Sequence, residues 1–326
     1  AAACLAGFTF AQDAPLWMRH SVISPDGTTI AFTYKGDIYT VPVAGGRAMQ
    51  ITTNPAYDTA PVWSPDSKRI AFASDRMGSL DVYIVAKDGG EPRRLTTHSG
   101  SETPLAFTDA GHVLFSAGIM PSAEAVVFPS NGQFNQVYRV SVEGGRPTMI
   151  SSMPMECISI NKEGAMLYQD KKGYEDYWRK HHVSPIARDI WMYTPGKEPQ
   201  YRQLTTFGGE DREPVWAPDG KTFYYLSEEN GSFNIYRRTP GDAKAVQLTH
   251  YTKNPVRYLS AATDGRLCYG FDGEIYTLLP GGEAQKVNIS IVSDRNDKDI
   301  IRQIKSSGAT EMAVSPDGKE VACLLY

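Results

Sequence analysis

Cysteine is scarce in this chain: four residues in 326, at Cys4, Cys157, Cys268 and Cys323, with no short spacing between any two. No Cys-x-x-Cys pair exists to hold zinc, and four dispersed thiols in so long a chain do not make a disulfide framework. Cys157 and Cys268 lie in apolar runs and read as small buried hydrophobes. Histidine is nearly as sparse, six in all, and only His181-His182 are adjacent. Neighbours in an extended segment point to opposite sides, so that pair makes a poor chelate. No metal and no cofactor is therefore expected. Positive charge is not in excess either: 33 Lys and Arg stand against 37 Asp and Glu, a formal net charge of -4. Without a basic field to hold a phosphate backbone, nucleic acid is excluded as a partner. The chain has no GxSxG elbow, no HExxH and no glycine-rich phosphate loop, so no catalytic residue is assigned. No stretch approaches the ~20 apolar residues that span a bilayer, so no transmembrane segment is expected.

At the N-terminus, Ala1 to Phe10 (AAACLAGFTF) is small and apolar, and the following AQDAP turns polar. Residues 1–12 read as the back half of a secretory signal peptide without its charged region, cleaved near Ala11 or Gln12; the alternative is a short apolar strand. Export to a periplasm is the expectation. Lipidation at Cys4 has weaker support, because Ala1 stands where a large aliphatic residue usually sits.

What the chain has in plenty is repetition. With 41% apolar residues it can bury an ample core, and a single cassette recurs along it. A short strand ends in an apolar or aromatic residue, a Ser-Pro-Asp-Gly turn follows, and then a second strand. An Ile/Val-Tyr strand, a Gly-Gly turn and a strand ending in Leu-Thr or similar complete the unit. The first copy reads Ser24-Pro25-Asp26-Gly27, Ile30-Ala31-Phe32, Asp37-Ile38-Tyr39, Gly45-Gly46, Ile51-Thr52. The second starts at Trp63-Ser64-Pro65-Asp66, a looser third at Phe107, the fourth at Asn161-Lys162-Glu163-Gly164, the fifth at Trp216-Ala217-Pro218-Asp219-Gly220 and the sixth at Thr263-Asp264-Gly265. Proline presets φ in the turn, aspartate tolerates the next position, and glycine takes the left-handed exit. Four short strands repeating every 40–45 residues or so is the signature of propeller blades. The expected fold is all-β: a six-bladed β-propeller of four-stranded antiparallel blades over residues 13–290. Trp63, Phe107 and Trp216 are then packing between blades. A charged linker occupies 291–308, and 309–326, with Ser315-Pro316-Asp317-Gly318, begins a second propeller. The alternative is a strand that returns to close the ring.

These cassettes resemble the TolB-type propeller repeats also found in tricorn proteases, over nearly all of residues 17–326. A more specific likeness lies in Gln169-Asp170-Lys171-Lys172-Gly173-Tyr174-Glu175 and Trp178-Arg179-Lys180-His181-His182, running to Arg188-Asp189-Ile190-Trp191. Together with Gly209-Glu210-Asp211-Arg212 and Asn254-Pro255-Val256-Arg257, that string is similar to the first propeller of bacterial tricorn-like serine peptidases. The resemblance implies a six-bladed propeller, then a seven-bladed one, a PDZ-like domain and a catalytic domain. It places the family's catalytic serine and histidine in those later domains, so this segment is expected to lack peptidase activity.

The site is sought at the face where inner strands begin. Two hairpins between second and third strands are long, Ala117 to Phe134 and Lys171 to Ala187, and both open on that face. Long loops in a compact fold are more often functional than accidental. Eight places before the turn glycine, or its equivalent Ser67, stand Arg19, Thr59, Thr103, Glu156, Arg212 and Arg257; nine places before stand Asp58, Glu102 and Asp211. The expected peptide-binding set is Arg19, Asp58, Glu102, Glu156, Tyr174, Tyr177, Trp178, Asp211, Arg212 and Arg257. Arginines there can grip a carboxylate, or they can pair with the neighbouring acids as a structural network. The partners expected are peptides or unfolded polypeptide segments, and the downstream domains of the same chain. Three readings compete: a non-catalytic substrate gate of an exported tricorn-like peptidase, a TolB-like protein-interaction module, and an enzyme with its site in the channel.

Overall fold

Each blade starts from one local instruction, and the computed structural model, which describes residues 15–119, 135–173, 183–292 and 309–325, shows how it is carried out. In the first turn Ser24 Oγ donates to Asp26 Oδ1 at 2.5 Å and accepts the backbone N–H of Thr29 at 3.0 Å. Gly27 N–H closes the turn on Ser24 O at 2.9 Å, with φ at +73°. Ser64 makes the same two bonds to Asp66 and Arg69. The serine is thus the turn's clip, a part that the proline and glycine arguments do not explain.

Six four-stranded antiparallel sheets follow in sequence order. Their innermost strands are Arg19–Ile23, Asp58–Trp63, Glu102–Asp109, Met155–Ile160, Asp211–Trp216 and Arg257–Ala261. The second strand of each blade faces its third with an aromatic pair directly opposite: Phe32 and Tyr39, Phe72 and Tyr83, Phe115 and Tyr138, Tyr168 and Trp191, Tyr225 and Tyr236, Tyr269 and Tyr276. Cross-strand aromatic pairs stabilise such ladders, which is why Ala-Phe and Ile-Tyr recur in step. The recurrent threonine ties the outer strand down. The hydroxyls of Thr52, Thr96, Thr205 and Thr249 each accept a backbone N–H from the third strand at 2.9 Å.

The core lies between blades. Ala31 and Ile38 of blade 1 pack with Trp63, Ile70 and Phe72 of blade 2. Ala71 and Ile84 meet Phe107 and Val113 across the next seam, and Leu167 and Ile190 meet Trp216 and Phe223 two seams on. The Trp63 indole N–H donates to Val22 O of blade 1 at 3.0 Å, and that of Trp216 to Ala165 O of blade 4 at 3.2 Å. These aromatics before the turns are inter-blade wedges.

The innermost strands abut one another right round the ring, the sixth against the first. Blade 6 completes its own sheet with Gln285–Lys286, and the chain then lays Ile289–Ser290 in parallel along Gly46–Arg47 of blade 1. Ser260 Oγ accepts Ile23 N–H at 3.1 Å, and Pro25 O accepts Thr263 N–H at 2.9 Å, across the same seam. A second compact unit spans Val292–Tyr326, in which Ala309–Val314 and Val321–Leu325 form a hairpin around Ser315-Pro316-Asp317-Gly318. It has the serine clip of a blade, and exposes Val314 and Val321 where the corresponding Ile23 and Ile30 are buried. The apolar segment 1–12, residues 120–134 of the third-blade loop, and residues 174–182, with Tyr174, Tyr177, Trp178 and His181-His182, lie outside the described residues.

Trp63→Ala or Trp216→Ala should cost about 3–5 kcal/mol through a cavity between blades, read as a lowered denaturation midpoint; unchanged midpoints would make these surface residues. A second test uses glycine. Gly45 (φ +86°) and Gly281 (φ +92°) both sit in the left-handed region, but a Cβ on Gly45 would stand 2.5 Å from Asn288 O while Gly281 has open space. Gly45→Ala should therefore lower the midpoint well beyond Gly281→Ala, since only it also displaces the Ile289–Ser290 clasp; equal losses would reduce the clasp to an incidental contact.

Candidate functional site

At the mouth of the ring the inner strands break their own register. The pairing with the second strand slips between Arg19 and Val22, Thr59 and Val62, Glu156 and Ser159, Arg212 and Val215, and Arg257 and Ser260. At each slip a non-glycine residue sits in the left-handed region: His20, Ala60, Cys157, Glu213 and Tyr258, with φ between +49° and +59°. Such bulges re-aim a side chain at a modest backbone cost. Pro104 holds the same place in blade 3, where its ring fixes φ near -65° and forbids that conformation; the slip there falls between Pro104 and Ala106.

The bulge corrects one expectation. Cys268 is buried, but Cys157 is exposed, because the left-handed turn lifts it out of the apolar run that surrounds it in sequence. Protein nonetheless crowds round the thiol group. That crowding, with Glu213 and Glu156 close by, holds its pKa well above the usual thiol value.

The residues eight and nine places before the turns do come to this end of the ring, and they divide into two groups. Around blades 4 and 5 the charges are locked together. Arg212 is 2% exposed; its Nε donates to Glu210 Oε2 at 2.9 Å and its guanidinium lies 5.2 Å from the Phe233 ring centroid. Glu156 receives Arg188 Nε at 3.1 Å and Gln169 Nε2 at 2.9 Å, with Lys171 Nζ at 3.5 Å. Arg188 reaches on to Glu210 at 3.4 Å. Glu213 bridges two seams: its N–H donates to Gln169 Oε1 of blade 4 at 3.0 Å, and its Oε2 accepts Leu259 N–H of blade 6 at 2.7 Å. Asp58, fully buried, is held by Arg76 Nη2 at 3.0 Å to each carboxylate oxygen. For Arg212, Glu156 and Asp58 the pairing alternative is the one the geometry realises. Glu102 and Asp211 are buried as well, and burial pushes both carboxyls up to about 7.

The blade 6, 1 and 2 sector is open. Arg19 is exposed and Arg257 half-buried. Burial raises the Tyr258 hydroxyl pKa, and Glu213, Arg19, Arg257 and Tyr57 all lie within electrostatic reach of it. His20 packs on Tyr258 with ring centroids 5.0 Å apart, and its Nδ1 is 3.2 Å from Thr59 Oγ1. Counting one residue further along each inner strand would have found His20 and Tyr258. No spacing rule marks Arg188 and Glu210, because a charge network closed across two blades is a tertiary fact. Among the described residues no group of three or more His, Cys, Asp or Glu converges to hold a metal.

A model of the tricorn protease N-terminal beta propeller domain matches residues 15–284. The chain belongs to the tricorn N-terminal propeller family. It is 26% identical over 289 residues to tricorn protease homolog 1 of Streptomyces coelicolor, covering 87% of this chain and 26% of that protein. It is 23% identical over 297 residues to the tricorn protease homolog of Saccharolobus solfataricus, covering 86% and 26%. The chain thus spans about a quarter of these relatives' length. Among solved structures, the tricorn protease superposes with a TM-score of 0.69 at 18% identity, over 92% of this chain and 28% of that one. TolB from Acinetobacter baumannii superposes at 0.61 and 15% identity, over 80% and 63%. Both likenesses are of fold.

In this tricorn-type propeller, burial and then Arg19 lower the pKa of His20 from 6.5 to about 4. The ring is therefore neutral at pH 7. A depressed histidine contributes stability that is present above pH 6.5 and lost as pH falls toward 4. Following the His20 ring proton by NMR should give a midpoint near 4 with a matching acid-side loss of thermal stability, both absent in His20→Gln. A midpoint near 6.5 would mean that water surrounds the ring.

Proposed function

We propose that this propeller is a non-catalytic peptide-handling domain of a tricorn-like serine peptidase, receiving extended segments at the face where its inner strands begin. The observation that carries the reading is a cluster at the mouth where blades 6, 1 and 2 meet: Arg19, which is exposed, Arg257, which is half-buried, and Tyr57 all lie within electrostatic reach of Tyr258. Guanidinium groups stay charged and bind a carboxylate through two parallel hydrogen bonds, so a peptide's C-terminal carboxylate is the chemistry that sector fits. The tyrosines supply stacking surface without sequence selectivity, and Tyr174, Tyr177 and Trp178 of the fourth-blade loop extend the same reading. Proteolysis by the whole protein, a further propeller begun by the 309–325 hairpin, and export through the apolar segment 1–12 belong to this proposal.

Titration with short peptides bearing free or amidated C-termini tests it. Binding of the free form is expected in the micromolar to millimolar range, on the order of -8 to -4 kcal/mol, and weakened in the amidated form and in Arg19→Ala and Arg257→Ala. Equal binding of both forms by all three proteins would remove the arginines from recognition.

A protein-interaction role is favoured by a separate observation. Trp17, Met77, Met153 and Val183 are all exposed, and all lie in links or hairpins opening on this face. Scattered apolar residues on one rim suit a folded partner. Loss of partner binding on combined Trp17→Ser and Met77→Ser substitution, with peptide affinity intact, would establish that reading in place of the first.

A further inference from the structure

The six seams are built on one plan but not from the same residues. At five of them the residue at or just before the start of the inner strand donates its backbone N–H to a carbonyl one or two places before the preceding blade's third strand. Met18 bonds Gly273 at 3.1 Å, Asp58 bonds Gly36 at 2.7 Å, Glu102 bonds Leu80 at 2.7 Å, Asp211 bonds Arg188 at 3.0 Å and Val256 bonds Phe233 at 3.0 Å. The bond brings the donor residue beside the one that follows the acceptor in the chain: Met18 beside Glu274, Asp58 beside Asp37, Glu102 beside Asp81, Asp211 beside Asp189, and Val256 beside Asn234. Three seams therefore place acid next to acid, in a fold where each such residue is 5% exposed or less.

Like charges packed this way demand compensation. The seam between blades 1 and 2 has it: Arg76 holds both oxygens of Asp58, and Gln50 Nε2 donates to Asp37 at 3.1 Å. At the other two seams only one partner is served. Arg94 Nη2 faces Asp81 at 2.9 Å; Lys172 bonds Asp189, and Gln203 Nε2 donates to it at 3.0 Å. Among the described residues no Lys or Arg pairs with Glu102 or Asp211. No well-aligned hydrogen bond reaches either Glu102 carboxylate oxygen, whose polar neighbours are Thr96, Asp81 and the His98 backbone. Asp211 faces the hydroxyls of Ser227 and Thr205, with Asp189 and Glu229 adding negative charge. Thr205 Oγ1 also stands 3.5 Å from Asp189 Oδ1, linking the two acids.

We propose that the seams between blades 2 and 3 and between blades 4 and 5 are proton-operated latches, each closed while Glu102 or Asp211 keeps its proton and loosened once that proton is lost to solvent. In the closed state Glu102 donates to Asp81, and Asp211 is the neutral member of its pair. Ionised, each acid faces a second carboxylate inside the seam with no cation of its own. Both carboxyls stand well above the ordinary carboxylate range in the closed ring, chiefly through burial. An acid whose pKa is raised on folding adds stability that is complete below its unfolded value, near 4, and lost as pH rises through about 7. Because Thr103 and Arg212 follow directly in the chain, the latches act at the level of the mouth. The latches act whatever the mouth binds.

Amide hydrogen exchange on the whole chain tests it, with rates corrected for intrinsic pH dependence. The Glu102 and Asp211 amides, which make the seam bonds, are compared with the Val256 amide, whose seam pairs Val256 with Asn234 and has no acid. Between pH 5 and 7 the protection of the first two should fall relative to Val256 by up to about tenfold per pH unit, levelling above pH 7.5. In Glu102→Gln the fall should vanish at the 2/3 seam and persist at the 4/5 seam, with Asp211→Asn doing the reverse. A ratio constant across this range in the unaltered protein, or a fall that survives both substitutions, overturns the proposal.

Discussion

A four-stranded sheet has two faces, and in this chain both are apolar. Ala31 and Ile38 cannot be buried by their own blade, and neither can Trp63 or Phe72; each finds cover only on the neighbour. The same holds at the seam that joins the ring's ends, where Ile23, Phe32, Cys268 and Ile275 share one cluster. Because every blade needs two others, the sheets close into a ring, and the ring fixes the level at which each inner strand begins. The mouth, its charges and its strained residues all inherit their positions from that constraint.

Five bulges with non-glycine residues at positive φ would be costly in an isolated strand, each on the order of 1–3 kcal/mol. They persist here because the ladder on one side and the neighbouring inner strands on the other over-determine the backbone. What the strain yields is a break in the sheet's two-residue alternation at His20, Cys157 and Tyr258. Charge follows a different logic. Buried arginines and acids around blades 4 and 5 pair with one another, whereas Arg19, where blades 6 and 1 meet, is exposed.

The blades are alike in what holds a sheet together and unlike in what meets at the seams. The cross-strand aromatic pair recurs in every blade and the outer threonine in most, since each has a single geometric task, while the turn serine of blades 1 and 2 gives way to Asn161 in blade 4 and Ala217 in blade 5. The residues that begin the inner strands vary from methionine to aspartate, and their partners vary with them: valine faces asparagine, and aspartate faces aspartate. A repeat protein can diversify there without disturbing its core, which gives one architecture seams of different composition.

Much of the fold was readable in the cassettes. Ser-Pro-Asp-Gly between apolar strands dictates a tight hairpin through local dihedral preferences, and a 40–45-residue period with alternating apolar faces leaves few architectures besides a propeller. Counting back from each turn glycine also placed Arg19 and Arg257 at one end of the ring, because strands have a fixed rise per residue. Sequence could not say that Arg212, identical in type and register, would be spent on Glu210 and Phe233, nor that Cys157 would turn outward from an apolar run. Those outcomes depend on which side chains a neighbouring blade brings within a few ångströms and on a one-residue slip in pairing. Both are set by closure of the ring, which joins residues more than two hundred positions apart, such as Ile23 and Ser260, and which no local pattern encodes.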